Sequence, residues 1–186
     1  MRESAIRSER VMNKKATILL QSGDMDKALC AFIYANGYAA LGVEVTMWFM
    51  IWGHNCLKKR RSLFSLRRKP DPAREGMYRV LETDNILQPM IEMLNRGGAN
   101  HLPLSRLNLM GLGPWLFGKM LRKKNIPSLE ELIKSADELG VKFKMCQICF
   151  DAMGLSVDDL IVPKVEVQGV SAYAKDTMEA HVNLFI

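Results

Sequence analysis

Cysteine is the residue type in this 186-residue chain most able to do nucleophilic chemistry, and two of its four cysteines stand close together as Cys146-Gln147-Ile148-Cys149. The run before them, Val141–Met145, reads as a strand, so the motif falls where a strand stops and a helical turn begins. In open α/β sheets, ligands bind beyond the carboxyl ends of the strands, where helix N-termini converge. Backbone N–H groups at such a position favour a thiolate and lower a cysteine pKa from its free value of about 8.5. Cys146 is therefore expected to be ionised and reachable, in a geometry that also suits an anionic cysteine persulfide. The loop Ser22-Gly23-Asp24 falls after the first expected strand and can line the same pocket, its backbone amides facing the adduct. No cofactor is needed for this chemistry.

The Cys-x-x-Cys spacing supports other readings as well. A thiol–disulfide redox pair has this spacing, although the motif comes too late in the chain for a thioredoxin fold. Half of a zinc site would need partners, and His54 and Cys56, just after the second expected strand, belong to the same edge. One such pair without a second is a weak metal signal. Two small side chains buried inertly at a strand end, in a non-enzymatic oligomeric binding module, is the plain structural alternative. Cys149 itself forks the mechanism. If its thiolate reaches a sulfur-loaded Cys146 it can displace sulfide and close a disulfide; otherwise Cys146 acts as a simple carrier.

Other candidates carry less. Gly111-Leu112-Gly113-Pro114 lacks the third glycine of a dinucleotide loop and follows no strand. Met50, Met110, Met120, Met145 and Met153 read as adaptable core filler, and Cys30, beside Leu29 and Phe32 in a helical pattern, reads as core. His101 and His181 have no visible catalytic partner.

The elements that must position Cys146 follow from hydrophobic spacing. Ala16–Gln21 is an apolar run ending in the Ser22-Gly23-Asp24 turn, and Met25–Leu41 repeats apolar residues at three- and four-residue intervals before Gly42. A strand over Val43–Ile51 then completes a βαβ unit, whose crossover is right-handed and whose strands are parallel. Residues of about 54–125 read as an insertion without clear strands, with helical pieces near Arg79–Asn95, where Pro89 should kink or break the chain, and Pro114–Lys124. Ser128 and Glu131 form a capping box opening a helix that ends at Leu139-Gly140. After the strand Val141–Met145 come a turn at Cys146–Asp151, a short helix at Ala152–Gly154, a strand Val165–Val167, a helix Ser171–His181 and a strand Val182–Phe185. This alternation defines an α/β class, an open parallel sheet with helices on both faces. Residues 1–12 read as a flexible tail, and 13–186 as a single domain.

Composition excludes several functions. With 48% apolar and 25% charged residues the chain is that of an ordinary globular protein. Four cysteines are too few and too unevenly spaced for a secreted disulfide framework, so a reducing cytoplasm is expected. The apolar stretch behind the charged start, ATILL, is too short for a signal sequence. The most apolar run, Val43–Gly53, contains Glu44 and is far below the roughly 20 residues of a membrane span. The net charge of +6 gathers in Lys58–Arg61, Arg67–Lys69 and Arg122–Lys124, read as a solvated basic face. These runs lack interleaved aromatics and any helix-turn-helix or zinc-finger spacing, which speaks against nucleic acid as a partner.

The opening KKATILLQSGDMDKALCAFIYANGYAALGVEVTMWFMIWG resembles that of the DsrE/DsrF-like family, in its larger DsrE-type branch. The later segments MLRKKNIPSLEELIKSADELGVKFKMCQICFDAMGL and VEVQGVSAYAKDTMEAHVNLFI resemble it too. Together the matching blocks cover residues of about 14–53 and 110–186. The resemblance implies a flavodoxin-like fold, cytoplasmic location, homo-oligomerisation and sulfur relay, with Cys146 at the family's sulfur-carrying position. Rhodanese-like or TusA-like sulfur-transfer proteins are the partners it implies. Two features depart from the family pattern: Cys149 stands where relatives commonly carry serine, and the basic segment after Lys58 matches nothing in it.

Overall fold

The computed structural model describes residues 14–60 and 97–186, apart from positions 154, 156 and 163. Strands β1 (Lys15–Leu20), β2 (Glu44–Phe49), β3 (Lys142–Cys146), β4 (Val165–Gln168) and β5 (Val182–Phe185) form one sheet. Its order is β4-β3-β2-β1-β5 and every neighbouring pair is parallel. Among the described residues the helices are α1 (Met25–Ala40), α2 (Leu112–Lys123), α3 (Leu129–Glu138), α4 (Gln147–Ala152) and α5 (Val170–Glu179). This is the expected flavodoxin-like α/β architecture.

Topology fixes which face each helix covers. From β1 to β4 the chain steps outward in one direction, then it returns past β1 to place β5 on the other side. A right-handed crossover taken in the reverse direction lands on the opposite face. Accordingly α1 and α3 share one face, where Asn36 Nδ2 donates to the Leu132 carbonyl at 3.0 Å. α5 lies on the other, its Tyr173 ring edge-on to Trp48 at 5.4 Å.

Side-chain alternation along the strands supplies the core. Ile18 and Leu20 of β1, Met47 and Phe49 of β2, and Phe143 and Met145 of β3 are buried with Ala28, Leu29, Phe32 and Ala35 of α1 and with Leu129 and Ile133 of α3. Phe32 packs against Phe49 and Phe143 with ring centroids 6.1 Å apart in each case. The intervening residues Thr17, Leu19 and Trp48 are also buried, so β1 and β2 are covered on both faces, as poor alternation in the sequence implies.

The capping box is present. Ser128 Oγ accepts from the Glu131 N–H at 3.4 Å, while Glu131 Oε2 accepts from the Ser128 N–H at 2.7 Å. Gly140, at φ +80°, takes the left-handed conformation that ends this helix.

Several expectations are corrected. The turn expected over Cys146–Asp151 is helix α4 itself, which starts directly after Cys146 and ends at Ala152. The second strand stops at Phe49, and Ile51–Cys56 forms a 3-10 turn. Cys30 is exposed rather than core, because the buried arc of α1 runs through Ala28, Leu29, Ala31, Phe32 and Ala35. Met145 and Met153 pack in or against the core, but Met110 and Met120 are on the surface. Arg122–Lys124 are solvated, whereas Lys58 is buried, its backbone bridging to Leu160. The tail 1–12, the predicted helix at Arg79–Asn95 with Pro89, and Arg67–Lys69 lie outside the described residues. Among the described residues, no helix is long and apolar enough to cross a membrane.

Candidate functional site

The carboxyl ends of β1, β2 and β3 lie side by side, with Leu20 opposite Phe49 and Phe49 opposite Met145. Three connections leave from this edge: Ser22–Asp24 after β1, the Ile51–Cys56 turn after β2, and α4 after β3. Close backbone approach joins the first two. The Met50 N–H donates to the Leu20 carbonyl at 3.1 Å, and a Cβ on Gly53 would stand only 2.0 Å from that same oxygen. Only glycine fits there. Gly23 is pressed against the turn as well, since a Cβ on it would come within 3.0 Å of Trp52 Cβ and 3.4 Å of Asn55 Nδ2.

Cys146 closes β3 and is the N-cap residue of α4, in extended conformation at φ −66°, ψ 122°. Cys149 follows in the first turn of the helix, close enough for Cys146 to bear on its ionisation. Cys146 is 4% exposed and Cys149 is 8% exposed, so the openly reachable thiol expected from the sequence is absent from this structure. Burial pushes the Cys149 thiol above its ordinary pKa, and the adjoining Cys146 adds to this; the Ile51 amide facing Cys149 works in the opposite direction. Gln147 braces the helix by donating to both carboxylate oxygens of Asp151, at 2.9 and 2.8 Å.

Ile51 therefore connects the β2 exit to the cysteine pair. Its φ of +49° is unusual for a β-branched residue, and the tight packing of Gly53 on Leu20 holds the turn in place. Nothing in the sequence marks Ile51 except its position two residues before a glycine. Ile51, Trp52 and Ile148 are all substantially exposed and give this edge an apolar rim.

The Ser22–Asp24 loop is at the expected edge, but its polar groups are largely engaged. Ser22 Oγ donates to Asp24 Oδ2 at 3.0 Å and accepts from the Asp24 N–H at 3.1 Å. The Ser22 N–H points to the Ile186 carbonyl at 3.5 Å. Of the three loop amides, only that of Gly23 has no bond among the described residues.

The residues weighed as zinc ligands are used otherwise. Cys56 donates its thiol proton to the Gly53 carbonyl at 3.0 Å, and burial drives its pKa far up. His54 is almost wholly buried, with neither ring nitrogen in hydrogen-bond geometry. Burial, reinforced by the Lys58 charge, pushes its pKa down to about 4, so it is neutral. Among the described residues, no three His, Cys, Asp or Glu side chains group to hold a metal ion. His181 lies at the opposite end of the sheet, its Nδ1 accepting from the Lys15 N–H at 3.3 Å.

One polar cluster escaped the sequence reading. Lys144, two residues before Cys146 on the same face of β3, reaches Asp176 of α5 at 2.8 Å, and Trp48 Nε1 donates to the same carboxylate oxygen at 2.9 Å. Burial alone would raise the Asp176 pKa, but the hydrogen bonds from Lys144 and Trp48, with the Lys144 charge, hold it below the ordinary carboxylate value. The alternating lysines in the strand KFKMC were its only signal.

Fold and edge together define a parallel α/β protein with a paired-cysteine strand end. Residues 12–185 match the DsrE/DsrF/DrsH-like family, and the chain belongs to it. Among curated relatives, the uncharacterized protein YrkE of Bacillus subtilis is 36% identical over 173 residues, 93% of this chain and 97% of YrkE. The sulfur carrier protein DsrE2 of Allochromatium vinosum is 29% identical over 176 residues, 93% of this chain and 98% of DsrE2. The crystal structure of the ychN protein from E. coli aligns over 93% of this chain and 99% of its own, with 14% identity and a TM-score of 0.47. Family membership supports a role in sulfur relay.

Proposed function

We propose that this protein accepts sulfane sulfur on Cys146 and hands it to an acceptor thiol, as a sulfur carrier or sulfurtransferase. The observation that carries the reading is the placement of Cys146 as the last residue of β3, at the edge where the connections after β1, β2 and β3 meet. The relative named a sulfur carrier supports it. In the loading step the Cys146 thiolate attacks the outer sulfur of a donor persulfide. A new S–S bond forms, the donor S–S bond breaks, and the donor leaves as a thiolate. Unloading is the same exchange with an acceptor thiolate attacking the carried sulfur. Gly23 offers an amide to the anionic adduct, while Ser22 and Asp24 hold the loop in shape. A rhodanese-like donor, a TusA-like acceptor, homo-oligomerisation and a cytoplasmic setting complete the reading. With Cys146 buried, transfer requires the side chains over it to part when the partner docks.

The test is peptide-mapping mass spectrometry after exposure to a persulfide donor. One added sulfur atom on Cys146 in the Cys149→Ser protein, and loss of transfer in Cys146→Ser, is the expected result. Transfer that survives intact in Cys146→Ser would overturn the reading.

A second reading has its own observation, the burial of both thiols, which suits a non-enzymatic binding module with inert cysteines. Alkylation at neutral pH separates the two, with exposed Cys30 as an internal reference. Under the carrier reading, Cys146 is modified on the timescale of partner exchange. If it stays unmodified long after Cys30 is consumed, the binding module stands.

A further inference from the structure

Resting on the carrier reading, we infer that Cys149 discharges the sulfur held on Cys146 as sulfide, leaving a Cys146–Cys149 disulfide. Three features of the structure lead there. First, the pair occupies the N-cap position and the third residue of α4. That spacing on a helix separates the Cα atoms by about 5 Å, within the range a disulfide spans. Second, the two thiols are close enough for Cys146 to bear on the ionisation of Cys149. Third, Cys149 is faced by an amide from outside its own helix, that of Ile51. The Ile51 turn cannot easily drift away, because Gly53 is lodged against the Leu20 carbonyl and the Met50 N–H is bonded to it.

Burial sharpens the argument. At 4% exposure, a loaded Cys146 is poorly placed for a bulky external thiol, while Cys149 is already beside it. An intramolecular nucleophile in contact has a large effective concentration over one that must diffuse in. Passing its proton to the carried sulfur frees the Cys149 thiolate for attack and supplies the proton the leaving sulfide needs.

The step balances. The Cys149 sulfur attacks Sγ of Cys146 in the anionic persulfide, and the bond from Sγ to the carried sulfur breaks. The Cys149 proton moves to the departing sulfur, which leaves as HS⁻. The carried sulfur gains two electrons and is reduced to sulfide, while the two cysteines are left oxidised as a disulfide. A dithiol reductant then restores both thiols. Discharge through Cys149 is thus a reductive outlet that competes with transfer of the carried sulfur to an acceptor thiol.

The experiment loads the full chain, in a Cys30→Ser background, with inorganic polysulfide, removes excess reagent, and follows free sulfide and intact mass. The parent is expected to release stoichiometric sulfide and to end two hydrogens lighter, with Cys149 no longer alkylatable. Cys149→Ser is expected to keep the added sulfur and release sulfide at least about tenfold more slowly until an external thiol is added. Cys149→Ala repeats the measurement should the serine variant fold poorly. Sulfide release from Cys149→Ser at the parental rate overturns the inference while the carrier reading stands. So does a parent that retains its sulfur with Cys149 still alkylatable. Failure of Cys146 to gain sulfur in any variant overturns both.

Discussion

On the side of α1 and α3, strands β1 to β3 present Ile18, Leu20, Met47, Phe49, Phe143 and Met145, all buried among apolar helix residues. On the side of α5 the same strands present Thr17, Trp48 and Lys144, and α5 itself has no buried residue. The first face is held by area and shape, which are non-directional and tolerant. The second is held by a few directed bonds converging on Asp176: from Trp48, from Lys144, and from the Thr17 hydroxyl to the Asp176 carbonyl at 3.4 Å. Alternation along β3 puts Cys146 in step with Lys144, opposite Gln168 of β4. The Cys146 end of the sheet therefore continues the side that carries these polar groups.

The largest test of that contrast is Phe143→Ala. It opens the aromatic cluster with Phe32 and Phe49 and should cost about 3–5 kcal/mol, read from the shift in urea midpoint. A cost close to that of an exposed residue would mean the apolar face is not the main source of stability.

His54 shows what happens to a polar group buried without the partners that α5 supplies. Its folded pKa is depressed to about 4, so its contribution is full above the unfolded pKa near 6.5 and is lost as pH falls toward 4. Between those limits stability should fall by roughly 3 kcal/mol. Urea titrations at a series of pH values check this, and His54→Leu should flatten that slope.

On the polar face, Asp176→Ala leaves the partly buried Lys144 ammonium and the Trp48 N–H without their acceptor, at a cost of roughly 1–3 kcal/mol. Asp176→Asn should lose less, because its amide oxygen can still accept from Trp48. The depressed Asp176 pKa also makes its contribution full above pH near 4 and lost below it, a slope both variants should remove. Equal costs for Ala and Asn would assign the effect to the ion pair alone.

The smallest effect lies outside both faces. Ser128→Ala removes the capping box of α3 and should cost about 1 kcal/mol in thermal or urea unfolding.

What could be read in advance was local. β1, α1, the Ser128–Glu131 cap and β5 follow from hydrophobic period and cap chemistry within a few residues, and each is where the sequence puts it. The motif's place at a strand end was legible for the same reason. Its burial was not, because burial depends on what other segments lay over Cys146. The Ile51 turn, with its positive φ, has no local signal, because the Gly53–Leu20 approach beside it joins residues far apart in the chain. The bond from Trp48 to Asp176 spans 128 residues and leaves no local trace.

The position of β1 between β2 and β5 has a consequence for the order of assembly. β1, α1 and β2 can come together early, since their contacts are short in sequence, but one edge of β1 stays bare until Val182–Phe185 has been made. During synthesis that edge offers unpaired N–H and C=O groups to any passing strand. The nascent chain is thus most prone to mispairing along Ala16–Leu19, a hazard that ends when β5 docks beside it.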